Sequence, residues 1–186
     1  MSKYRLVALI GKSGSGKDTI KNKLLSQCKG LSRVVTSTTR PAREGEVDGV
    51  DYNFLTDQEF TDKILNGDLI EATQHREWFY GTDSVSLKEE TINLIVLTPD
   101  GIRAIQEAED IDLLVIYIMC PNKERLIRTL NRETAPDIDE IFRRYKQDRE
   151  DFSDLEFNFT VMDNSGKYSM EQIVDSCRDT IVDYFG

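Results

Sequence analysis

The feature that most constrains this fold is a glycine-rich turn set between a strand pattern and a helix pattern. Gly11-Lys12-Ser13-Gly14-Ser15-Gly16-Lys17-Asp18-Thr19 follows the apolar run at residues 6–10. The pattern is G-x-x-x-x-G-K, a loop whose glycines let backbone N–H groups approach phosphate oxygens closely. Lys17 adds a point charge, and the helix that opens behind the loop adds the positive end of its dipole. Ile20, Leu24, Leu25 and Cys28 fall on one face at helical spacing, so the strand–loop–helix context is present. The loop predicts a nucleoside triphosphate held by Gly11, Ser13, Gly14, Ser15, Gly16, Lys17, Asp18 and Thr19.

The rest of the chain alternates in the same way. Residues 31–36, 92–97, 113–119 and 157–162 read as further strands. Helices are expected from about residue 101, over 123–131 with Leu126, Ile127 and Leu130 inward, and over 139–151 with Ile141, Phe142 and Tyr145 on one face. A last helix carries Met170, Ile173, Val174, Cys177 and Ile181. Such alternation predicts an α/β fold of the P-loop NTPase type, a parallel sheet flanked by helices. The polar stretch 37–88 interrupts the pattern and reads as an inserted lobe, with one short helix signalled by the capping box Thr56-Asp57-Gln58-Glu59. The expected organisation is a core of residues 1–36 and 89–186, a lobe of 37–88 and a lid at 131–145. Ligands of such sheets bind beyond the carboxyl ends of the strands.

Charge narrows the partners. Acidic residues outnumber basic ones by 34 to 24, a net charge of -10. That surface disfavours a nucleic-acid polymer or an anionic membrane as partner. No apolar run reaches the ~18–20 residues that span a bilayer, and no signal-peptide pattern opens the chain. Cys28, Cys120 and Cys177 form no C-x-x-C pair and read as reduced thiols of a cytoplasmic protein. The one histidine, His75, and the neighbouring Trp78 and Phe79 read as lobe structure.

Asp18 stands where the loop pattern has a hydroxyl. A carboxylate in a helix's first turn gains ~0.3–1 kcal/mol from the dipole. At about 4 Å from a phosphate oxygen it loses roughly 4 kcal/mol per charge pair at an effective dielectric near 20. The repulsion wins unless a cation lies between, and Mg²⁺ takes carboxylate and phosphate oxygens together. Asp18 is therefore expected to be a metal ligand, with a plain helix-capping acid as the alternative.

The stretch from Thr36 to Phe54, TSTTRPAREGEVDGVDYNF, places hydroxyls and two arginines, Arg40 and Arg43, just past a strand end. Arginine forks suit phosphate oxygens, and Tyr52 can donate a further hydrogen bond. A second anion site alongside a triphosphate site predicts phosphoryl transfer onto a phosphate. This stretch closely resembles the guanylate kinase signature S-x-T-T-R-x-P-R-x-G-E-x-x-G-x-D-Y-x-F. The resemblance continues through the phosphate loop, Leu69-Ile70-Glu71, Tyr80-Gly81-Thr82, Cys120-Pro121 and the later arginines. It implies ATP as phosphate donor, GMP or dGMP as acceptor, and Mg²⁺ as cofactor.

By that resemblance Thr36, Arg40, Arg43, Tyr52 and Tyr80 look like the acceptor-phosphate cradle, and Glu71 with Thr82 like the base reader. Guanine presents N1–H and N2–H₂ as adjacent donors, which one carboxylate can accept; adenine's N1 is an acceptor, which a carboxylate repels. Among Arg128, Arg132, Arg143 and Arg144, the resemblance implies Arg132 and Arg144, with Lys17, as the groups that neutralise the transferring phosphoryl.

The resemblance also breaks in places. The family's usual D-x-D-x-x-G after the third core strand is Val96-Leu97-Thr98-Pro99-Asp100-Gly101 here. By position Val96 replaces a metal-side acid, and Thr98 replaces an acid that touches the base. Asp163 stands where the family often has Asn, and Glu133 follows Arg132 where Gly is usual. One reading is that the carboxylate missing at Val96 is regained at Asp18. Two alternatives stay open: a kinase for another or modified (d)NMP, as in phage enzymes with Gly-Lys-Asp-Thr loops, and a non-catalytic module of this fold that binds protein ligands.

Overall fold

The computed structural model describes residues 2–42, 45–75, 77–132 and 136–186, with the side chains of His75 and Arg132 outside that description. The first apolar run forms β1 (Tyr4–Ile10), whose residues 6–10 are fully buried. Helix α1 (Lys17–Gln27) follows and buries Ile20 and Leu24. Then come β2 (Leu31–Arg33), β3 (Ser37–Thr38), β4 (Asn53–Phe54), α2 (Asp57–Asn66), β5 (Leu69–His75) and β6 (Trp78–Asp83). The remainder is β7 (Ile92–Val96), α3 (Pro99–Gln106), β8 (Ile111–Met119), α4 (Asn122–Arg132), α5 (Ile138–Asp151), β9 (Thr160–Asp163) and α6 (Met170–Phe185).

The strands form a five-stranded sheet in the order β2-β7-β1-β8-β9 and a four-stranded sheet in the order β4-β3-β6-β5. β2 pairs parallel to β7, and β8 parallel to β9. The α/β class with a parallel central sheet and flanking helices is as the alternation predicts.

Two expected strands change. The strand expected at 31–36 is cut short, because the backbone changes partners: Val34 N–H still donates to Leu94, but the Thr36 and Thr38 carbonyls accept from Asn53 and Leu55. The chain thereby leaves one sheet and enters the other. The strand expected at 157–162 begins only at Thr160, where pairing to Ile116 starts. Phe157 and Phe159 before it form an aromatic cluster with Tyr117 instead.

The chain divides into two compact units. The first comprises residues 1–6, 30–95 and 100–113 and contains the whole stretch 37–88. Its core includes Val34, Leu94, Ile95, Ile102 and Ile105, with Phe60 of α2 stacked on Phe79 at 5.6 Å. The capping box forms as the sequence predicts: the Thr56 hydroxyl accepts from Glu59 N–H, the Glu59 side chain returns to Thr56, and Gly67 ends α2 in the left-handed region.

The second unit comprises residues 7–29, 96–99 and 114–186. Here α1 packs on α6, burying Ile20, Leu24, Ile173, Val174, Cys177 and Ile181. The three cysteines are unpaired, and burial pushes the Cys177 thiol up to about 12, a structural rather than reactive thiol. Among the described residues no helix is long and apolar enough to cross a membrane.

Candidate functional site

The loop expected to hold the triphosphate belongs to the second unit. The loop leaves β1 at Gly11 and enters α1 through Gly16, which holds the N-cap at φ 92°. A Cβ at Gly16 would lie 2.6 Å from Asn164 Nδ2, and one at Gly14 would lie 2.7 Å from Thr129 Oγ1 and 2.8 Å from the Arg125 carbonyl oxygen. Both glycines are required by left-handed backbone and by close approach together. Ser15 is fully buried and its hydroxyl has no hydrogen-bond partner. Lys17 folds its Nζ back onto the Gly11 and Lys12 carbonyls, and burial lowers its pKa from the usual lysine range. A triphosphate offers that ammonium a stronger partner than two neutral carbonyls.

Asp18 and Thr19 lie exposed in the first turn of α1. The Asp18 carboxylate sits 3.3 Å from Lys21 Nζ. Among the described residues no three His, Cys, Asp or Glu side chains gather as a metal cage. An accessible single carboxylate beside a phosphate loop suits Mg²⁺, which is held through one or two carboxylates, waters and substrate phosphates. Val96 closes β7 and Thr98 precedes α3, both half-buried.

Residues that the sequence did not single out brace this loop. Ser13 N–H donates to both Asp148 carboxylate oxygens at 3.1 and 3.0 Å, and Asp148 pairs with Arg125 at 2.7 Å. Asn164 Nδ2 donates to the Ser15 carbonyl at 2.7 Å, and Arg128 donates to the Asn164 carbonyl at 3.0 Å. Helical periodicity held the missed signal: Ile141, Tyr145 and Asp148 share one stripe, so a charge sits on an apolar face. Two residues expected inward are exposed instead, Ile127 at 43% and Phe142 at 63%. The faces of α4 and α5 are turned so that Arg125 and Asp148 are buried.

Of the expected phosphoryl clamps, Arg144 lies on α5 and is held by Glu140 at 2.8 Å, with Arg143 on the same carboxylate. Arg132 ends α4, and its side chain lies outside the described residues, as does Arg43.

The residues expected to hold the acceptor belong to the first unit and lie on or beside the four-stranded sheet. Register sets Thr38 opposite Tyr80, and Glu71 opposite Thr82. Arg40, 4% exposed, pairs with Glu46 through Nη2 alone, which donates to both carboxylate oxygens at 2.9 and 3.0 Å, while Nη1 donates to the Pro41 carbonyl at 2.7 Å. Its guanidinium also lies over the Tyr52 and Phe54 rings, at 5.3 and 5.7 Å. Tyr52 and Tyr80 meet edge to face at 6.3 Å, and Thr36 is buried beside Asn53. Arg40, Tyr52 and Tyr80 therefore come together, with Glu46 presenting to Arg40 the planar pair of oxygens that a phosphate would present. Beneath them Ser37 donates to Asp83, which also holds Lys63.

Glu71 is 5% exposed. Thr82 Oγ1 donates to its Oε1 at 2.8 Å, while Oε2 has no partner. Burial pushes its carboxyl up to about 7, and the Thr82 hydrogen bond only partly opposes this. A buried carboxylate with a free oxygen is unfavourable unless a ligand brings donors to it.

Comparison with known proteins points one way. The family model described as Guanylate kinase matches residues 3–181. The chain is 35% identical over 152 residues to a guanylate kinase of Gloeobacter violaceus, covering 80% of this chain and 74% of that protein. It is 29% identical over 173 residues to a guanylate kinase of Clostridium perfringens, covering 90% and 80%. The crystal structure of guanylate kinase from Anaplasma phagocytophilum superposes with a TM-score of 0.71 at 23% identity, covering all of this chain and 89% of that one.

Proposed function

The chain belongs to the guanylate kinase family, and we propose that its two half-sites divide the family's reaction between the phosphate loop and the Glu71 sheet. It is a kinase that passes the γ-phosphoryl of ATP to GMP, giving GDP and ADP. The observation that carries the acceptor assignment is Glu71, a buried carboxylate with one oxygen unpartnered. Guanine N1–H and N2–H₂ match it, and dGMP presents the same edge.

Thr36, Arg40, Arg43, Tyr52 and Tyr80 hold the acceptor phosphate, and Thr82 keeps Glu71 oriented through its hydroxyl. Arg40 exchanges the Glu46 carboxylate for the phosphate, its Nη2 trading two carboxylate oxygens for phosphate oxygens. On the donor side, residues 11–19 cradle the triphosphate, and Lys17 turns from the loop carbonyls to its oxygens. Arg132 and Arg144 neutralise charge on the phosphoryl in flight. No general base is needed, because the attacking phosphate oxygen is already anionic near neutral pH. Mg²⁺ would be held by Asp18 together with substrate phosphates and water, and would supply charge neutralisation. Residues 37–88 form the acceptor lobe, 131–145 the lid, and 1–36 with 89–186 the core; the separate four-stranded sheet of β3 to β6 supports the first of these. Three unpaired thiols support a reducing, cytoplasmic setting.

A second reading, a kinase for another or modified (d)NMP, is favoured by Thr98 standing where the family places an acid. A panel of ribo- and deoxynucleoside monophosphates, assayed by coupled ADP release with and without Mg²⁺, separates the two. GMP or dGMP is expected to exceed AMP by 10⁴-fold or so in kcat/KM, as for sites that hydrogen-bond the substrate edge. Equal use of AMP would refute the Glu71 assignment.

A further inference from the structure

We propose that Asp148 and Arg125 are positioning residues for the phosphate loop, presenting a built-in acceptor that sets the Ser13 backbone for the triphosphate. The proposal rests on the reading that this loop holds ATP. Asp148 lies on α5 and is 7% exposed; Arg125 lies on α4 and is 1% exposed. Both Asp148 oxygens accept Ser13 N–H, and Ser13 Oγ donates to Oδ1 at 3.3 Å. The pair is therefore a three-way joint between α4, α5 and the loop.

Stability alone does not account for this joint. A buried ion pair roughly breaks even against well-packed apolar residues of similar volume, since desolvating two charges offsets their attraction. This pair is less favourable still, because Arg125 Nε is buried without a partner. Tyr145 covers the guanidinium at 4.4 Å and donates its hydroxyl to the Asn122 carbonyl, so α4 and α5 are already tied together without Asp148. What an apolar substitute could not do is accept the Ser13 N–H.

The neighbouring contacts show the same arrangement. Three successive loop residues are each met by a different part of the second unit: Ser13 by Asp148, Gly14 by the α4 backbone at Arg125, and Ser15 by Asn164. Thr129, which also crowds Gly14, is itself pinned to the Arg125 carbonyl at 2.8 Å. A phosphate loop works by having its amides aimed before the anion arrives, so no reorganisation is needed on binding. Asp148 takes up the Ser13 amide itself and so fixes the turn that aims the amides after it, and the charge of Arg125 offsets the repulsion its carboxylate would exert on a polyphosphate. Arg144 stands one helical turn before Asp148 on α5, so the helix that carries a phosphoryl clamp is anchored on the donor loop.

The test compares two neutral replacements of the pair. Arg125→Met with Asp148→Leu removes the acceptor; Arg125→Met with Asp148→Asn keeps an oxygen for Ser13 N–H. Thermal melts check folding, and Arg125→Met with Asp148→Ala takes the place of the leucine variant should leucine overfill the site. Binding of a fluorescent ATP analogue and the KM for ATP and GMP are then measured. The acceptor-less variant should bind the analogue about tenfold more weakly, with KM for ATP raised in step, KM for GMP unchanged and kcat altered less than threefold. The asparagine variant should stay within about threefold of wild type. Folded variants that both bind like wild type, or both weaken equally, would overturn the proposal. Wild-type protein without ATP-dependent phosphorylation of any monophosphate would overturn the premise, and the proposal with it.

Discussion

Replacing Glu71 by glutamine should make the protein more stable and poorer at using GMP, and both effects should grow as pH rises. Glu71 is buried, with one carboxylate oxygen bonded to Thr82 and the other unpartnered. Its carboxyl is pushed from an ordinary 4.5 to about 7 by burial. A folded pKa above the unfolded one favours the protonated native state. Its contribution to stability is full below the unfolded value and is lost as pH climbs through about 7. The whole loss is about 3 kcal/mol, at 1.36 kcal/mol per pKa unit. Glutamine has the same shape and carries no charge to bury, so the variant avoids that loss. Its advantage over wild type in urea unfolding should grow by about 2–3 kcal/mol between pH 5 and pH 8, or roughly 5–10 °C in Tm for a chain of this size.

Function should move the other way. Glutamine sets an NH₂ donor against the donors of guanine, removing a charge-assisted bond and leaving a buried donor unmatched, together about 3 kcal/mol. That corresponds to a rise of about 100-fold in KM for GMP at pH 8, with KM for ATP unchanged. At pH 6 about nine-tenths of wild-type Glu71 is protonated in the free enzyme, so wild-type KM rises about tenfold and the gap to the variant narrows to about tenfold. The acceptor phosphate titrates near pH 6 as well, so the ratio of variant to wild type is the quantity to plot. A stability difference independent of pH, or parallel KM profiles in the two proteins, would refute the reasoning.

Two further outcomes are expected. Asp18→Ser should lower turnover about tenfold or more and raise the Mg²⁺ concentration for half-maximal rate, and adding Val96→Asp should recover part of both; unchanged Mg²⁺ dependence in Asp18→Ser would remove the metal assignment. Arg144→Met should lower kcat by about 10²–10³ with either KM altered little, since a clamp acting mainly in the transition state leaves ground-state binding alone; a rise in KM at constant kcat would assign Arg144 to binding instead.

The local signals in the chain were sufficient for the elements whose cause is local. The G-x-x-x-x-G-K loop, the capping box at Thr56 with its stop at Gly67, and the alternation of apolar runs each depend on residues within a turn or two of one another. The residues proposed to hold the acceptor were also nameable from the sequence, because arginines, hydroxyls and a carboxylate carry their chemistry wherever they are placed. The four-stranded sheet was not. Two of its strands, β3 and β4, are only two residues long, and they are defined by pairings to residues 16 or more positions away rather than by local pattern. The break at residues 34–36 was hidden for the same reason, since the carbonyl of Thr36 bonds forward to Asn53.

By itself, then, the sequence determined that a G-x-x-x-x-G-K loop and a set of arginines, hydroxyls and a carboxylate resembling the guanylate kinase signature share one α/β chain. Tertiary structure decided the state of those groups. It buried Glu71 beside one hydroxyl and so raised its pKa, it paired Arg40 Nη2 with Glu46, and it rotated α4 and α5 so that Asp148, paired with Arg125, reached Ser13. Residue type sets what a group can donate, accept or carry. Desolvation and partner geometry, which depend on atoms distant in the chain, set which of those capacities is left for a ligand.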